Sequence, residues 1–290
     1  MIKEGFLDKM IVKPGMKVRL SDFYTGWAHN DELKDAGKDV VKQRAGEILE
    51  ENRTALTTAQ ELLWADNRYS ILIILQGMDT AGKDGTIRHV MSGVNPQGCR
   101  VTSFGVPNRQ ELDHTFLWRF WRATPGRGEI GIFNRSYYED VLVPKVHPII
   151  MEDQQLPTGY GSNAFWEARY KDMRAFEEHL VANGTIVLKF FLNISKEEQK
   201  KRLISRLKTE EKHWKFSLSD LTDRQFWDHY QRAYEEVFYQ TSTDSSPWYI
   251  IPADYKWVAR TLVADLIVRG IKKLDLRYPE TTDERKKELE

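Results

Sequence analysis

The fold is decided by the stretch Ser70–Thr86, which reads SILIILQGMDTAGKDGT. Its first seven residues are a short, largely apolar run, which is typical of a strand buried on both faces of a sheet. The following GMDTAGK begins at Gly77 and matches the pattern G-x-x-x-x-G-K, and a helix is expected from Gly85 to about Gly93. Glycines let successive N–H groups point at phosphate oxygens, and a helix N-terminus adds partial positive charge. This order of elements predicts a phosphate-binding loop.

Two charged side chains of this loop have distinct expected roles. Lys83 is expected to place its ammonium group between terminal phosphates. Asp84 stands where the ordinary motif has a hydroxyl that binds magnesium, so Asp79, Thr86 or Asp84 itself must take over that role. A carboxylate beside phosphates is tolerated when a cation lies between them, which favours Asp79 as a magnesium ligand or general base over a simple turn-former. The residues predicted to contact phosphate or nucleotide are Gly77, Ala81, Gly82, Asp84, Gly85 and Thr86.

Apolar runs and amphipathic stretches alternate along the rest of the chain. Further buried strands are predicted at residues 100–104, 129–134, 185–192 and 248–252. Helices are predicted at residues 110–121, 165–181, 196–207, 220–239 and 258–274. Because strands that alternate with helices pair in parallel through right-handed crossovers, the pattern predicts an α/β sandwich around a mainly parallel five-stranded sheet.

The segments that flank this core differ in composition. Residues 1–30 have few periodic apolar positions and are expected to form an extended arm. Residues 31–65 have helical periodicity and predict a helical extension packed on the core. We expect one domain over residues 1–290, with arm and extension at 1–69, a catalytic core at 70–276 and a charged tail at 277–290.

Composition excludes several classes of protein. The 290 residues are 41% hydrophobic and 30% charged, and the 43 basic and 43 acidic side chains give a net charge of +0, which argues against a surface built for nucleic acid. The single cysteine, Cys99, forms no internal disulfide, and no Cys/His cluster suggests zinc. No apolar run reaches the ~18 residues of a membrane helix, and the first residues carry too many charges for a signal peptide. We expect a cytoplasmic protein with no nucleic-acid or membrane partner.

A second set of polar residues follows the strand predicted at 129–134, in the segment IFNRSYYED. Polar groups at the carboxyl end of a buried strand face the ligand crevice of an α/β sheet. Arg135 supplies a planar fork for phosphate oxygens, while Glu139 and Asp140 offer metal or nucleotide contacts. The alternative interpretation is a strand-end cap with a surface ion pair.

Residues 195–217 carry an excess of four positive charges. Arg202 and Arg206 lie one helical turn apart and are expected to reach the same ligand, with Lys212 further along. A basic flap of this kind closes over phosphates and excludes water, which predicts a lid, although a solvated helix face explains the same charges. The aromatic residues large enough to stack a base are Tyr160, Trp166 and Trp214, though packing is the more ordinary role of each.

Several motifs together resemble the polyphosphate kinase 2 family. They are GMDTAGKDGT (77–86), VNPQGCRVTSF (94–104), GEIGIFNRSYYEDVLV (128–143), LKFFLNISKEEQKKR (188–202), KHWKFS (212–217) and PWYIIPADYKW (247–257). The similarity runs from about Leu62 to Leu276. Within the family, Asp84 after the lysine and the Asn134-Arg135-Ser136 … Glu139 pattern are similar to class III.

The resemblance implies a P-loop kinase fold and phosphate transfer from inorganic polyphosphate to AMP and ADP, giving ADP and ATP, with Mg²⁺ or Mn²⁺ as cofactor. It also implies a homo-oligomer, a dimer or a tetramer. Asp79, Lys83 and Arg135 match the family's catalytic residues, and the implied metal ligands are Asp79, Asn134 and Glu139. Other classes have aspartate at the position of Asn134, which makes that ligand weaker here, and relatives often have a lysine at Gly105.

Two other functions fit parts of the pattern. An ATP-dependent nucleoside monophosphate kinase shares the loop, lid and fold, but Asp79 and Asp84 argue against it. A nucleotide-sensing module without turnover belongs to a different class of protein. Against this module stands the convergence of a lysine, acids, an arginine and a basic lid in one chain.

Overall fold

Six strands form one sheet in the computed structural model, which describes residues 2–154, 156, 159–215 and 218–280. They are β1 (Ile11–Val12), β2 (Ser70–Gln76), β3 (Cys99–Ser103), β4 (Ile130–Asn134), β5 (Thr185–Asn193) and β6 (Trp248–Pro252). The order across the sheet is β1-β6-β5-β2-β4-β3. All neighbours from β6 to β3 are parallel, and only β1 is antiparallel to its neighbour. The predicted α/β class with a mainly parallel sheet is confirmed.

Helices cover both faces of this sheet and form the outer layers of a three-layer sandwich. The helices are α1 (Glu4–Leu7), α2 (Asp31–Ala36), α3 (Lys38–Asp66), α4 (Lys83–Val90), α5 (Arg109–Leu112), α6 (Trp118–Trp121), α7 (Glu139–Val146), α8 (Ile150–Asp153), α9 (Asn163–Ala182), α10 (Lys196–Lys208), α11 (Leu218–Gln225), α12 (Trp227–Thr241) and α13 (Lys256–Lys272). One layer is built by α3 and α4, which each pack on α13, and the other by α7 and α9, which each pack on α12. None of the described helices is long and apolar enough to cross a membrane.

The prediction of five strands is corrected by β1, which lies in the segment expected to be an extended arm. Two residues are too few to form an apolar run, so the hydrophobic periodicity of the sequence does not predict this strand. Val12 is fully buried, and its carbonyl accepts a hydrogen bond of 2.5 Å from Ser242 Oγ. The backbone N–H of Leu20 donates to Glu235 at 2.7 Å. The arm is therefore built into the edge of the sheet.

Two of the predicted helices are each divided into two. The stretch expected at 110–121 contains α5 and α6, and α5 begins with a capping box in which Asn108 and Glu111 bond each other's backbone N–H. The stretch expected at 220–239 contains α11 and α12, which meet near Phe226. The buried residues of these stretches lie in α6 and α12, whereas none of residues 109–112 and 221–225 is buried.

The strand β2 lies at the centre of the sheet, and all seven of its residues are buried. On one side Leu75 pairs with Asn134 of β4, and on the other Gln76 pairs with Phe191 of β5. Because these strands are parallel, the segments that follow them emerge at the same edge of the sheet. This edge carries the candidate site.

A buried ion pair supports the segment that follows β4. Lys189 on β5 is 0% exposed and Glu177 on α9 is 1% exposed. The Lys189 ammonium donates to Glu177 Oε2 at 2.7 Å and to the Thr241 carbonyl at 2.7 Å. The hydroxyls of Tyr137 and Tyr138 donate to Glu177 Oε1 at 2.6 and 2.5 Å. Both charges thus have hydrogen-bond partners in the core, which a buried pair requires.

We predict that breaking this pair from one side is more damaging than removing both charges. Lys189→Met or Glu177→Leu alone should lower the free energy of unfolding by ~3–5 kcal/mol, because an uncompensated charge stays buried. The double variant should lose less than the sum of the two single losses. Urea denaturation of all four proteins measures this coupling.

The control is the exposed pair of Lys34 and Asp31, whose charged atoms lie 3.2 Å apart. Lys34→Ala should change the free energy of unfolding by less than about 1 kcal/mol. Strictly additive losses in Lys189→Met/Glu177→Leu would show that the two charges do not stabilise each other.

Candidate active site

The glycine-rich loop between β2 and α4 is curled by backbone angles that favour glycine. Gly77 and Gly82 have φ values of 150° and 109°, and Thr80 has a φ of 67°. A Cβ atom at Gly77 would lie 2.9 Å from the Leu192 carbonyl oxygen, so a side chain there has no room. The N–H of Ala81 donates to the Met78 carbonyl at 3.0 Å and closes the turn. The loop therefore has the compact form that its sequence predicts.

Lys83 is the first residue of α4, two residues earlier than the expected start of that helix. Its side chain is buried, and Nζ donates to the carbonyl oxygens of Gly77 at 2.5 Å and Met78 at 3.4 Å. Burial, together with the nearby charge of Arg135, lowers the pKa of Lys83 to about 8. The carboxylates of Asp79, Glu139 and Asp84 offset part of this effect, and an arriving phosphate would add negative charge that favours the charged ammonium group.

Arg135 connects the loop to the segment after β4. It has a φ of 65°, an uncommon backbone conformation for a residue with a side chain. Nη2 donates to Asp79 Oδ1 at 2.6 Å, and Nη1 donates to Glu139 Oε2 at 3.4 Å. The charge of Glu139 and then that of Asp79 raise the pKa of Arg135. The three residues predicted from two distant motifs thus form one ion-pair cluster.

Two neighbouring amides complete the edge of this cluster. The Gln76 amide, oriented to satisfy both of its ends, donates to Glu139 Oε1 at 2.9 Å and accepts from Ser136 Oγ at 3.1 Å. Asn134 Nδ2 donates to Asp84 Oδ1 at 2.9 Å. Asn134 Oδ1 is buried and has no hydrogen-bond partner among the described residues. An acceptor of this kind is suited to a ligand that carries a cation or a donor.

Two adjoining cavities surround the cluster and share Asp79, Phe104 and Arg135 as a common wall. The larger, which we call the loop chamber, has a volume of about 790 Å³ and contains the loop residues from Asp79 to Thr86. Its basic side chains are Lys83, Arg88, Arg135, Arg202, Arg206, Lys256 and Arg260. The smaller, which we call the strand-end chamber, has a volume of about 440 Å³. Its walls include Val106, Pro107, Val143, Tyr234, Arg119, Glu139 and Asp223.

Arg202 is placed differently from the expectation that its guanidinium reaches a ligand. Nη1 donates to the carbonyls of Thr80 and Ala81 at 3.0 and 2.9 Å, and Nη2 donates to those of Ala253 and Asp254 at 2.7 and 2.8 Å. Nε donates to Glu198 at 2.9 Å. All five N–H donors of the side chain are therefore used within the protein. Arg202 therefore holds the loop in place at one side of the loop chamber, and Arg206, one turn later, also lines this chamber.

Gln199 is a site residue that sequence reasoning missed. It is completely buried, its Nε2 donates to the Asp79 carbonyl at 3.2 Å, and its Oε1 accepts from Arg224 Nη1 at 2.9 Å. It thereby joins the loop to both α10 and α11. The available signal was a polar residue on the apolar stripe of the predicted lid helix, one turn before the buried Leu203.

The remaining predicted residues lie at varying distances from the two chambers. Trp214 lines the loop chamber with 78% of its surface exposed, whereas Trp166 packs on the core. Tyr160 lines neither chamber. Gly105 lines the strand-end chamber. The side chain of Lys212 and the lid residues 216–217 lie outside the described part of the chain, as do tail residues 281–290.

A glycine-rich loop after a central parallel strand, and an arginine after the neighbouring strand, define a phosphotransferase with the P-loop kinase fold. The family model of polyphosphate kinase 2 matches residues 39–279. The chain belongs to the polyphosphate kinase 2 family, as its motifs indicated.

Individual relatives agree with this assignment over nearly the whole chain. The ADP-polyphosphate phosphotransferase of Rhodopseudomonas palustris is 47% identical over 94% of this chain and 97% of its own. The AMP/ADP-polyphosphate phosphotransferase of Meiothermus ruber is 48% identical over 82% of this chain and 85% of its own. The crystal structure of polyphosphate kinase 2 from Arthrobacter aurescens superposes with a TM-score of 0.79 at 37% identity, covering 94% of this chain and 96% of that one.

We predict that Arg202 and Arg206 differ in what they stabilise. Arg202→Ala should lower the free energy of unfolding by ~2–4 kcal/mol, because backbone carbonyls lose their donors. Arg206→Ala should change it by less than about 1 kcal/mol, the scale of a surface interaction, yet it should still lower turnover. Thermal unfolding and steady-state rates of both variants test this difference. Equal stability of Arg202→Ala and the unaltered protein would remove the bracing role of Arg202.

Proposed function

We propose that this protein transfers the terminal phosphoryl group of inorganic polyphosphate to AMP and ADP, forming ADP and ATP, and that the reaction is reversible. The observation that carries the proposal is the pair of chambers that meet at the Asp79–Arg135 ion pair. One chamber suits a chain of phosphates and the other suits a nucleotide. The names of the two relatives, which specify ADP in one and AMP and ADP in the other, support the same acceptors.

The loop chamber has the character expected of a polyphosphate site. Polyphosphate is a chain of negative charges without a base, so a site for it needs many cations and no stacking surface. The chamber is lined by lysine and arginine from the loop, the lid helix α10 and α13, against the acids Asp79 and Asp84. Such a concentration of one sign of charge attracts a polyanion even though the whole protein is neutral.

The strand-end chamber has the character expected of a nucleotide site. Apolar and aromatic walls such as Val106, Pro107 and Tyr234 offer contact area to a base or sugar. Arg119, whose Nη1 donates to the Gly105 carbonyl at 2.9 Å, and Arg135 offer positive charge for the acceptor phosphate. The acceptor phosphate would then meet the donor chain at Arg135.

The residues at the junction fit Mg²⁺ that is held partly by the substrate. Among the described residues no cluster of three or more His, Cys, Asp or Glu is arranged to hold a metal ion. Mg²⁺ is usually bound by one or two carboxylates together with substrate phosphates and water, which requires no such cluster. Asp79 and Glu139 supply carboxylates, and Asn134 supplies a buried oxygen without a partner. When bound, Mg²⁺, or Mn²⁺ in its place, would neutralise phosphate charge between these residues.

The reaction requires little of the protein beyond alignment of the two substrates and neutralisation of the charge on their phosphates. A phosphate oxygen of AMP or ADP, already ionised, forms the new bond to phosphorus, and the bond to the next phosphate of the donor breaks. The donor chain leaves one phosphate shorter. Lys83, Arg135 and Arg206 stabilise the charge on the transferred group and its neighbours, and a strong general base is not needed.

The proposal includes three further features that no contact or distance in the structure supports directly. They are assembly of the protein into a dimer or tetramer, a cytoplasmic location, and the division into an arm and extension at 1–69 before a catalytic core at 70–276. The first follows the family resemblance, and the second follows the use of a single cysteine.

The first prediction from this function is that ADP, polyphosphate and Mg²⁺ yield ATP when no ATP is supplied. AMP should also be accepted, giving first ADP and then ATP. Chromatographic separation of the nucleotides over time measures both steps. Product that appears only with ATP as donor would identify a nucleoside monophosphate kinase instead, and rejection of AMP alone would remove the class III assignment.

The second prediction separates Lys83 from Asp79. Lys83→Met should abolish transfer and weaken phosphate binding, because an ammonium that contacts phosphate directly is lost, and added metal should not restore it. Asp79→Asn keeps the shape of the loop but loses an anionic ligand, and should cost ~2–4 kcal/mol of transition-state stabilisation. Nucleotide affinity without metal should be unchanged or tighter in Asp79→Asn, because repulsion between like charges is relieved.

These outcomes are measured as the rate against Mg²⁺ concentration and, separately, as nucleotide affinity by calorimetry in the presence of a chelator. Near-normal activity of Asp79→Asn at limiting Mg²⁺ would limit Asp79 to shaping the turn and pairing with Arg135.

A further inference from the structure

We propose that Arg260 on α13 binds a phosphate of the donor chain in the loop chamber, next to the phosphate that Lys83 holds. The proposal rests on the assignment of the loop chamber to polyphosphate. The sequence predicts Arg202 and Arg206 of the lid in this role, and Arg260 lies outside the predicted lid.

The position of Arg260 is defined by the first turn of α4. Nη2 of Arg260 lies 3.6 Å from the place that a Cβ atom would take at Gly85. The guanidinium is therefore against the N-terminus of α4, beside the loop, and it lines the loop chamber. That distance is an ordinary van der Waals contact, so Gly85 and the guanidinium of Arg260 are direct neighbours.

The charge of Arg260 is not balanced by any acidic residue that the structure describes. Its side chain makes no hydrogen bond and no ion pair with any residue that the structure describes, although it is partly buried. Burial and the neighbouring charge of Arg202 lower the pKa of Arg260. Glu198 pairs with Arg202 at 2.9 Å, whereas no described carboxylate pairs with Arg260, so the two neighbouring guanidinium groups leave a local excess of positive charge. A partly buried cation in this situation is stabilised by an anionic ligand.

Arginines with a structural role in this chain donate their N–H groups to protein oxygens. Arg169 donates to the Asp140 carbonyl at 2.5 Å and to Gln154 at 2.7 Å, and Arg202 uses all five of its donors on protein oxygens. Arg260 has no such partner among the described residues, and its side chain lines the loop chamber. The planar fork of arginine matches two phosphate oxygens at once.

The geometry points to a contact with a phosphate that is bound but not transferred. Arg135 lies at the junction of the two chambers, whereas Arg260 on α13 lines the loop chamber and not the strand-end chamber. A residue that holds the donor chain behind the reacting phosphate contributes to binding in the ground state and the transition state alike. Its loss should therefore raise the KM for polyphosphate and leave kcat nearly unchanged.

The test compares Arg260→Gln with Arg260→Lys and with the control Arg127→Gln. Arg127 is exposed in the turn before β4, at the opposite end of the sheet from the loop. In Arg260→Gln the KM for polyphosphate should rise at least about tenfold, the effect of losing a charge-assisted hydrogen bond. The KM for ADP and kcat should stay within about twofold of the unaltered values. Arg260→Lys should give a KM for polyphosphate between those of Arg260→Gln and the unaltered protein. Arg127→Gln should have the same KM as the unaltered protein.

Calorimetry with inorganic tripolyphosphate, without nucleotide, gives a readout that does not depend on turnover. The dissociation constant should weaken in Arg260→Gln by about the same factor as the KM. The slope of log affinity against log salt should fall by about one, since one cationic contact with a polyanion is removed.

Unchanged tripolyphosphate affinity in a folded Arg260→Gln would overturn the proposal, and so would a rise in the KM for ADP instead of polyphosphate. Neither result would affect the proposed function as long as the unaltered protein makes ATP from ADP and polyphosphate. If the unaltered protein makes no ATP, the proposed function fails, and tripolyphosphate binding alone decides the role of Arg260.

Discussion

The parallel register between β2 and β4 is the constraint on which the site depends. Leu75 pairs with Asn134, and the N–H of Arg135 donates to the Leu75 carbonyl at 3.1 Å. This last bond of the ladder places Arg135 opposite the start of the loop, within 2.6 Å of Asp79. Because side chains alternate along a strand, a slip of one residue would turn Arg135 away from the loop. The complete burial of β2 between β4 and β5 is what makes such a slip costly.

The positively charged groups of the site are hydrogen-bonded to oxygens of the protein. Arg135 is held by Asp79 and Glu139, and Lys83 by carbonyls of its own loop. A phosphate that enters therefore exchanges one set of oxygen partners for another, and the cations need not be desolvated anew. The buried Glu177 below supports this arrangement, since it receives the hydroxyls of Tyr137 and Tyr138, which follow Arg135 directly. Catalytic geometry and core stability thus depend on the same short segment.

Sequence reasoning succeeded where the information is local and failed where it is not. The strand β2, the loop and the segment after β4 are encoded in contiguous residues with distinct composition, and the predicted strand at 70–76 agrees with the structure. The edge strand β1 consists of two residues that depend on β6. Arg202 and Arg260 are equally basic in the sequence, and only tertiary contacts show that one is fully hydrogen-bonded and the other is not. Gln199 is likewise recognised as a site residue only from its hydrogen bonds with Asp79 and Arg224, which are 120 and 25 residues away.

The anchoring of the lid follows from these same contacts and restricts how it moves. Arg202 and Gln199 tie the first two turns of α10 to the loop, and Arg224 on α11 donates to Gln199 and to the Lys196 carbonyl at 2.7 Å. Both ends of the segment between Arg202 and Arg224 are therefore attached to the loop, by Arg202 directly and by Arg224 through Gln199. Movement of the whole of α10 would break several partly buried hydrogen bonds, whereas movement beyond Arg202 breaks none of them. A closing movement of the predicted lid that starts beyond Arg202 would therefore leave its attachment to the loop intact.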